Sequence, residues 1–146
     1  MLVRTHQSLT YAGARVALDA ALAQGTALGG AFNVAVTDST GGLLAFARMD
    51  GAFAVSGSIA QDKAWTVAGF GGIPTDDFYD AIAGEDAVRE GIAQRGRVAA
   101  FGGGVPVLVE GGSASASGAA GGCAEKAKQA ATASAQAVVA ALTSAS

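Results

Sequence analysis

The chain has 146 residues and a formal net charge of −3, and it lacks the lysine- and arginine-rich cluster that nucleic-acid binding requires. No run of about 18 apolar residues and no signal peptide is apparent, so we expect neither a membrane span nor membrane binding. A single cysteine excludes an internal disulfide, and one cysteine with one histidine cannot form a structural zinc site. We therefore expect a cytoplasmic protein without a metal site, folded as a single domain over residues 1–146.

The low charge content predicts self-association. Charged residues make up 14% of the chain, whereas soluble domains usually contain roughly 25%. Hydrophobic residues make up 51%, and many of them are alanine, so the core is thin and surfaces can approach closely. Burial of part of the surface in a homo-oligomer, a dimer or larger, is the expected consequence.

The first half of the chain predicts a helix followed by a β-hairpin. Residues 8–28 have apolar side chains at helical spacing, with Ser8 as the candidate cap. Residues 32–38 and 43–49 are rich in strand-forming residues, and the turn-forming "STGG" separates them. The two strands are therefore expected to pair.

The second half predicts further helices and one clear strand. A helix is expected at 55–70, and Thr75 is a candidate cap for a helical or irregular stretch that reaches about Gln94. A strand follows at 105–109, and the last helix runs from Cys123 to about Leu142. Short turns between adjacent strands favour an antiparallel sheet with helices packed on it, an α+β domain.

The stretch "SASASGAAGG" at 113–122 has two interpretations. Its composition is typical of a flexible linker. It also follows "VPVLVEGG", and small side chains suit a strand that a helix or a ligand covers closely. We favour a strand at 113–119, paired with 105–109.

Lys63 is predicted to lie within the apolar half of helix 55–70. Its stem could pack there while its amine reaches solvent or pairs with Asp50 or Asp38. Alternatively, Lys63 is a cation at the rim of an anion-binding pocket, or a base with a lowered pKa. Trp65 falls on the polar half of the same helix, which suggests a subunit contact.

Two loops offer further candidate binding groups. Arg48 and Asp50 belong to the segment "RMDG", which is either an ordinary turn or a pocket edge where Arg48 contacts a carboxylate. Gly102, Gly103 and Gly104 leave backbone amides uncovered by side chains, so they can hold an anion or let a flat ligand approach. A flexible corner is the competing interpretation of the glycines.

Cys123 is a candidate reactive group because it lies near the start of the last helix, where the helix dipole favours a thiolate. A small buried residue is the competing interpretation. His6 precedes the first helix and is expected to be solvated, so a nucleophile–histidine pair is not expected.

Three motifs together resemble one family. The segments "VAVTDSTGGLLAFARMDGA" (34–52), "SIAQDKAWTVAGFGGIPT" (58–75) and "FGGGVPVLVEGG" (101–112) are similar to the GlcG/HbpS family, which includes the C-terminal domain of PduO-type proteins. The resemblance implies a profilin-like α+β fold, a five-stranded antiparallel sheet packed with N-terminal, central and C-terminal helices. It also implies assembly into oligomers, and haem binding as in several members.

The chain departs from the family at 113–119, where serine and alanine replace the usual valine and isoleucine. This change is expected to enlarge and polarise a cavity there. Haem requires an axial ligand. The side chains that could supply one are His6, Cys123, Met1, Met49, Tyr11 and Tyr79.

These observations leave three functional hypotheses. The first is a GlcG/HbpS-type protein that binds a small ligand, with haem or another tetrapyrrole as the candidate cofactor. The second is an enzyme acting on a small carboxylated or carbonyl metabolite, with Lys63 and Cys123 as catalytic groups. In that hypothesis Arg48, Asp50, Lys63 and the glycines 102–104 bind the substrate. The third is a structural oligomer without a ligand.

Overall fold

The structure is a computed structural model that describes residues 1–145, and it is an α+β fold of helices packed on one sheet. The helices are α1 (Tyr11–Ala27), α2 (Ser56–Gly69), α3 (Thr75–Ala83), α4 (Asp86–Ala93) and α5 (Ala124–Ala145). The strands are β1 (Asn33–Thr37), β2 (Leu43–Arg48), β3 (Gly104–Val109) and β4 (Gly112–Ala120). The predicted order of elements is confirmed, with the helical or irregular stretch resolved into α3 and α4. Within residues 1–145, no helix combines the length and the apolar character needed to cross a membrane.

The sheet has the strand order β2-β1-β4-β3, and all three pairings are antiparallel. The last strand in sequence, β4, therefore lies in the centre, between β1 and β3. The five-stranded sheet is wrong for this chain, because residues 1–145 form a four-stranded one. The segment before β3 does not extend the sheet, since the amide of Ala99 donates to the Thr66 hydroxyl at 3.0 Å instead of to a neighbouring strand.

Helices cover both faces of the sheet. Helices α1 and α5 pack on one face, where Val34, Val36 and Val107 are fully buried. Helix α2 packs on the other face, where its Ala60 and Ala64 meet Ala35 and Ala116. The side chains on the α2 side are smaller, so this helix lies closer to the strands.

The small residues of β4 allow helices to approach from both sides. A Cβ at Gly118 would lie 2.2 Å from the Ala60 carbonyl oxygen of α2. On the opposite face, the Ser117 hydroxyl donates to that of Ser134 in α5, which donates to the Ala17 carbonyl of α1. The strand prediction for 113–119 is thus confirmed. Ser115, Ser117 and Ala119 are fully buried among their neighbours, and the expected enlargement of a cavity at 113–119 stays a prediction.

Both predicted caps are displaced. Helix α1 is capped by Thr10, whose hydroxyl accepts from the Gly13 amide at 3.1 Å, and not by Ser8. Pro74 takes the cap position of α3, and Thr75 is the first residue inside it. The buried Thr75 hydroxyl accepts from the Gly104 amide at 2.9 Å, so it fixes the start of β3 beside α3.

Candidate functional site

A cavity of about 210 Å³ lies between the first turns of α2 and α5. The loop before β3 and the end of β4 complete its walls. Its lining residues are Phe53, Ser56, Ile59, Lys63, Phe101, Ala120, Gly121, Gly122, Ala124 and Ala127. Most of these side chains are apolar or small, and the lysine is the one cation among them.

Lys63 points from the buried face of α2 toward this cavity and is 3% exposed. Its amine donates to the Ala119 carbonyl at 3.0 Å and lies 4.7 Å from the centre of the Phe101 ring. An ammonium has three donors, so this one hydrogen bond leaves donor capacity for a ligand. The predicted pairing of Lys63 with Asp50 or Asp38 is not what the structure shows.

The electrostatics of the cavity favour an anion. Burial lowers the pKa of the Lys63 amine to about 8, so the group is mostly protonated at pH 7. Among residues 1–145, no residue that lines the cavity carries a carboxylate. The first turns of α2 and α5 add the positive ends of two helix dipoles. A carboxylate that entered the cavity would meet the Lys63 amine and these two helix N-termini.

The segment 102–104 requires glycine at two of its positions. A Cβ at Gly103 would lie 2.7 Å from the Lys63 amine and 2.6 Å from the Ala119 carbonyl oxygen. Gly103 also has φ +131°, a region that side chains disfavour. At Gly104 a Cβ would lie 2.9 Å from the Lys63 carbonyl oxygen. Two of the predicted binding glycines therefore touch Lys63, and Gly102 lies next to them, near Ala124.

The remaining walls are fixed from the sheet. The fully buried side chain of Asn33 donates to the Phe53 carbonyl at 2.9 Å and so holds the loop that precedes α2. The Phe53 ring is 71% exposed. Phe101 is 53% exposed, so both rings stand at the opening of the cavity.

Cys123 lies at the edge of the cavity. It is exposed, and its neighbours Gly122 and Ala124 both line the cavity. Its carbonyl accepts from the Ala127 amide, which places it at the cap position of α5. The thiol is thus an accessible group beside the site, and the interpretation of Cys123 as a buried residue is wrong.

Arg48 and Asp50 lie outside this cavity lining. Both side chains are exposed, at the end of β2 and in the turn that follows. Asp38 is engaged by its own turn, accepting from the amides of Thr40 and Gly42 at 2.9 Å. Burial opposes its ionisation, but the hydrogen bonds from Thr40, Gly42 and Gly41 outweigh this and hold the pKa of Asp38 below its usual value. The structure therefore places Gly103 and Gly104 against Lys63 and Cys123 between two lining residues, although neither Cys123 nor the three glycines line the cavity themselves. It leaves Arg48 and Asp50 apart.

Trp65 is half-buried on the outer side of α2. The Arg97 guanidinium lies 4.8 Å from the centre of its ring and also pairs with Asp62 at 3.1 Å. One part of the indole is thus covered within the chain.

The other candidate iron ligands are dispersed. Met49 packs its sulfur against Gly25, and that sulfur accepts from the Phe32 amide at 3.3 Å. Tyr11 and Tyr79 are exposed on helices, and His6 lies in the N-terminal segment. Among the described residues, no three His, Cys, Asp or Glu side chains cluster closely enough to hold a metal ion.

Sequence reasoning missed two parts of the site, the aromatic ring of Phe101 over Lys63 and the small residues Gly121 and Gly122. The signal for Phe101 was its position immediately before the glycine run, which places an aromatic ring next to uncovered backbone. Gly121 and Gly122 both have positive φ, and they turn the chain from β4 into α5.

Comparisons with known proteins agree with this architecture. The family model described as haem degrading protein HbpS-like matches residues 9–136. No curated protein matches the sequence.

Several solved structures are similar over nearly the whole chain. Protein ORFY of Klebsiella pneumoniae, of the DUF336 family, is 27% identical with a TM-score of 0.87, covering 96% of this chain and 97% of ORFY. The PduOC–haem complex is 25% identical with a TM-score of 0.80, covering 89% and 94%. A double mutant of HbpS from Streptomyces reticuli is 27% identical with a TM-score of 0.80, covering 92% and 89%.

Proposed function

The chain belongs to the haem degrading HbpS-like family, and from this we propose that it binds a carboxylate-bearing ligand, haem or another tetrapyrrole, with a carboxylate at Lys63. The single observation that carries the proposal is a buried lysine amine on the wall of a cavity whose described lining has no carboxylate. A buried cation is costly unless it is paired, so a site of this kind is completed by an anion.

The fit of haem is limited by the size of the cavity. Pockets that enclose drug-sized ligands measure about 300–1,000 Å³, and this cavity measures about 210 Å³. The exposed rings of Phe53 and Phe101 would therefore hold the macrocycle outside the cavity, and Lys63 would hold one carboxylate. Cys123, between two lining residues, would be the side chain beside that opening able to ligate the iron. Bound haem would supply iron-centred redox chemistry, and this chain's residues would orient it and neutralise its carboxylate.

Titration of the purified protein with hemin tests the proposal. We expect a saturable Soret shift at a fixed stoichiometry. Lys63→Met removes the charge and keeps much of the volume, and it should weaken binding at least about tenfold, since a charge-assisted hydrogen bond contributes about 1.5–3 kcal/mol. Lys126→Met, at an exposed position of α5, is the matched control and should bind as the wild type does.

Two results would contradict the proposal. A Soret change without saturation would mean that hemin only adsorbs to the surface. Equal hemin affinity of the Lys63→Met variant and the wild type would mean that Lys63 does not hold the propionate. Cys123→Ser separates the roles further, because loss of a thiolate ligand shifts the Soret band with a smaller change in affinity.

Assembly and location belong to the same proposal. We place the protein in the cytoplasm because its one cysteine is exposed and unpaired, which fits a reducing compartment. A homo-oligomer fits the low charge content of the chain.

A further inference from the structure

We infer that the Lys63 amine also reacts reversibly with a small aldehyde or 2-oxo acid, forming an imine inside the cavity. This activity uses the same lysine as the proposed haem site but needs neither haem nor an intact haem-binding surface. Its substrate class is a carbonyl compound of a few carbon atoms.

The size of the cavity selects that class. A volume of about 210 Å³ is below the roughly 300–1,000 Å³ of pockets that enclose drug-sized ligands. A compound with a handful of non-hydrogen atoms therefore fits inside, whereas a macrocycle does not. The amine lies on the wall of this space, 3% exposed, so a carbonyl that enters the cavity is brought directly to the nitrogen.

The surroundings leave the nitrogen able to act as a nucleophile. One N–H is held by the Ala119 carbonyl, and the other described contact is the face of the Phe101 ring. Neither contact blocks a lone pair on the neutral amine. Burial lowers the pKa of Lys63 to about 8, so a useful fraction of the amine is neutral near physiological pH.

The charged groups on the packed elements are engaged elsewhere. Asp62 of α2 pairs with Arg97, and Asp76 of α3 pairs with Lys128 of α5. The Glu125 carboxylate in the first turn of α5 accepts from the Gln129 side chain. Among the described residues, none of these carboxylates lines the cavity, so none of them holds Lys63 in its protonated form.

The reaction balances without an oxidant or a reductant. The protonated amine first gives its proton to solvent. The nitrogen lone pair then forms a C–N bond to the carbonyl carbon, and a proton moves from nitrogen to oxygen to give the carbinolamine. The hydroxyl then takes up a proton and leaves as water with the former carbonyl oxygen, the nitrogen gives its remaining proton to solvent, and the C=N bond remains. The Ser56 hydroxyl is the lining group that can hydrogen-bond the departing oxygen, and the carboxylate of an oxo acid would face the first turns of α2 and α5.

Reductive trapping tests this inference. The chain suits the experiment because it has only three lysines, Lys63, Lys126 and Lys128. The protein is incubated with glyoxylate, or separately with pyruvate, in the presence of cyanoborohydride, and the labelled positions are found by peptide mass spectrometry. We expect Lys63 to be labelled at least about tenfold faster than the two surface lysines, with a rate that rises through pH 8. The Lys126→Arg/Lys128→Arg variant keeps the cavity unchanged and should label at the same rate at Lys63.

Lys63→Arg keeps the charge but cannot form an imine, so its labelling should fall to the level of the N-terminus. Labelling that is spread evenly over the lysines, or that is absent at Lys63 in the double variant, would overturn the inference. The result is independent of the hemin titration: failure to bind hemin leaves the trapping result intact, and failure to trap leaves hemin binding intact.

Discussion

Lys63 is the buried cation of the candidate site, and its position has an energetic cost. The amine is nearly fully buried, and its described polar partner is a neutral carbonyl. Replacement of a buried ion pair by apolar side chains of similar volume is often neutral or stabilising by about 1–4 kcal/mol, and a buried charge without an ionic partner carries the desolvation cost without the attraction. If Lys63 is retained for ligand chemistry rather than for folding, its replacement by an apolar side chain should not destabilise the fold.

We therefore predict that Lys63→Met is at least as stable as the wild type at pH 7, and that this advantage shrinks as the pH rises to 10. The pKa of the amine is about 8 in the folded protein, against 10.5 for a lysine in an unstructured peptide. Between these values the unfolded chain binds more protons, so the free energy of unfolding of the wild type increases with pH. The gain is at most about 3 kcal/mol.

Urea denaturation of both proteins at pH 7, 8.5 and 10, followed by circular dichroism, measures this difference. Every other titratable group is common to both proteins and cancels in the comparison. Lys126→Met is the control for loss of a lysine from an exposed position. If Lys63→Met were strongly destabilised at pH 7, the amine would be a structural group and not a ligand-binding one.

At the scale of elements, the central strand β4 depends on the absence of side-chain volume. Alternate residues face α2 and the α1–α5 pair, and Gly118 is where the backbone of α2 comes closest. The same contact places the Lys63 stem, since a Cβ at Gly118 would lie 3.1 Å from the Cβ of Lys63. The strand therefore sets both the position of the helix and the position of the amine.

We predict that Gly118→Ala lowers the free energy of unfolding by about 2 kcal/mol or more, because α2 must move away from the sheet. Gly112→Ala in the same strand is the matched control, since its Cβ would lie 3.7 Å from the nearest heavy atom, the Val109 carbonyl oxygen. Urea denaturation of both variants gives the comparison. Equal stability of the two would mean that α2 does not press on Gly118.

The elements show which parts of the fold the sequence could predict. Strands with valine-rich patterns, the hairpin turns and the long helices follow from local periodicity, and the serine–alanine strand followed from its position after a turn. Local patterns also predict the four strands that the sheet contains, whereas the fifth strand followed only from the family resemblance and is wrong.

The candidate site divides in the same way. Lys63 was found because a single cation on an apolar helix face is visible in the sequence, and the glycine run was visible as a motif. Their meeting was not predictable, since it depends on how close α2 lies to β3. Arg48 and Asp50 looked equivalent to Lys63 in sequence, but the pleat of the edge strand β2 leaves Arg48 exposed.

For the whole molecule, low charge and exposed apolar side chains bear on assembly. Phe53, Val55 and Leu108 are each more than half exposed. The Arg97 guanidinium covers one part of the Trp65 ring, and the rest of the indole is available for contact with another subunit. A chain with 14% charged residues that shows such groups to solvent is expected to associate with copies of itself.

We predict that light scattering after size exclusion gives a mass that is a multiple of 14.1 kDa, and that Trp65→Ala lowers it. Trp65→Phe keeps an aromatic surface and should keep the assembly, because aromatic burial and not the indole N–H is the expected driving force. Circular dichroism establishes that both variants are folded. A mass of 14.1 kDa at all protein concentrations would contradict the homo-oligomer. An unchanged assembly in Trp65→Ala would instead place the interface elsewhere, and the exposed rings of Phe53 and Phe101 would be the next surface to change. If those rings were buried between subunits, dilution of the protein would expose them, and the affinity for hemin would increase.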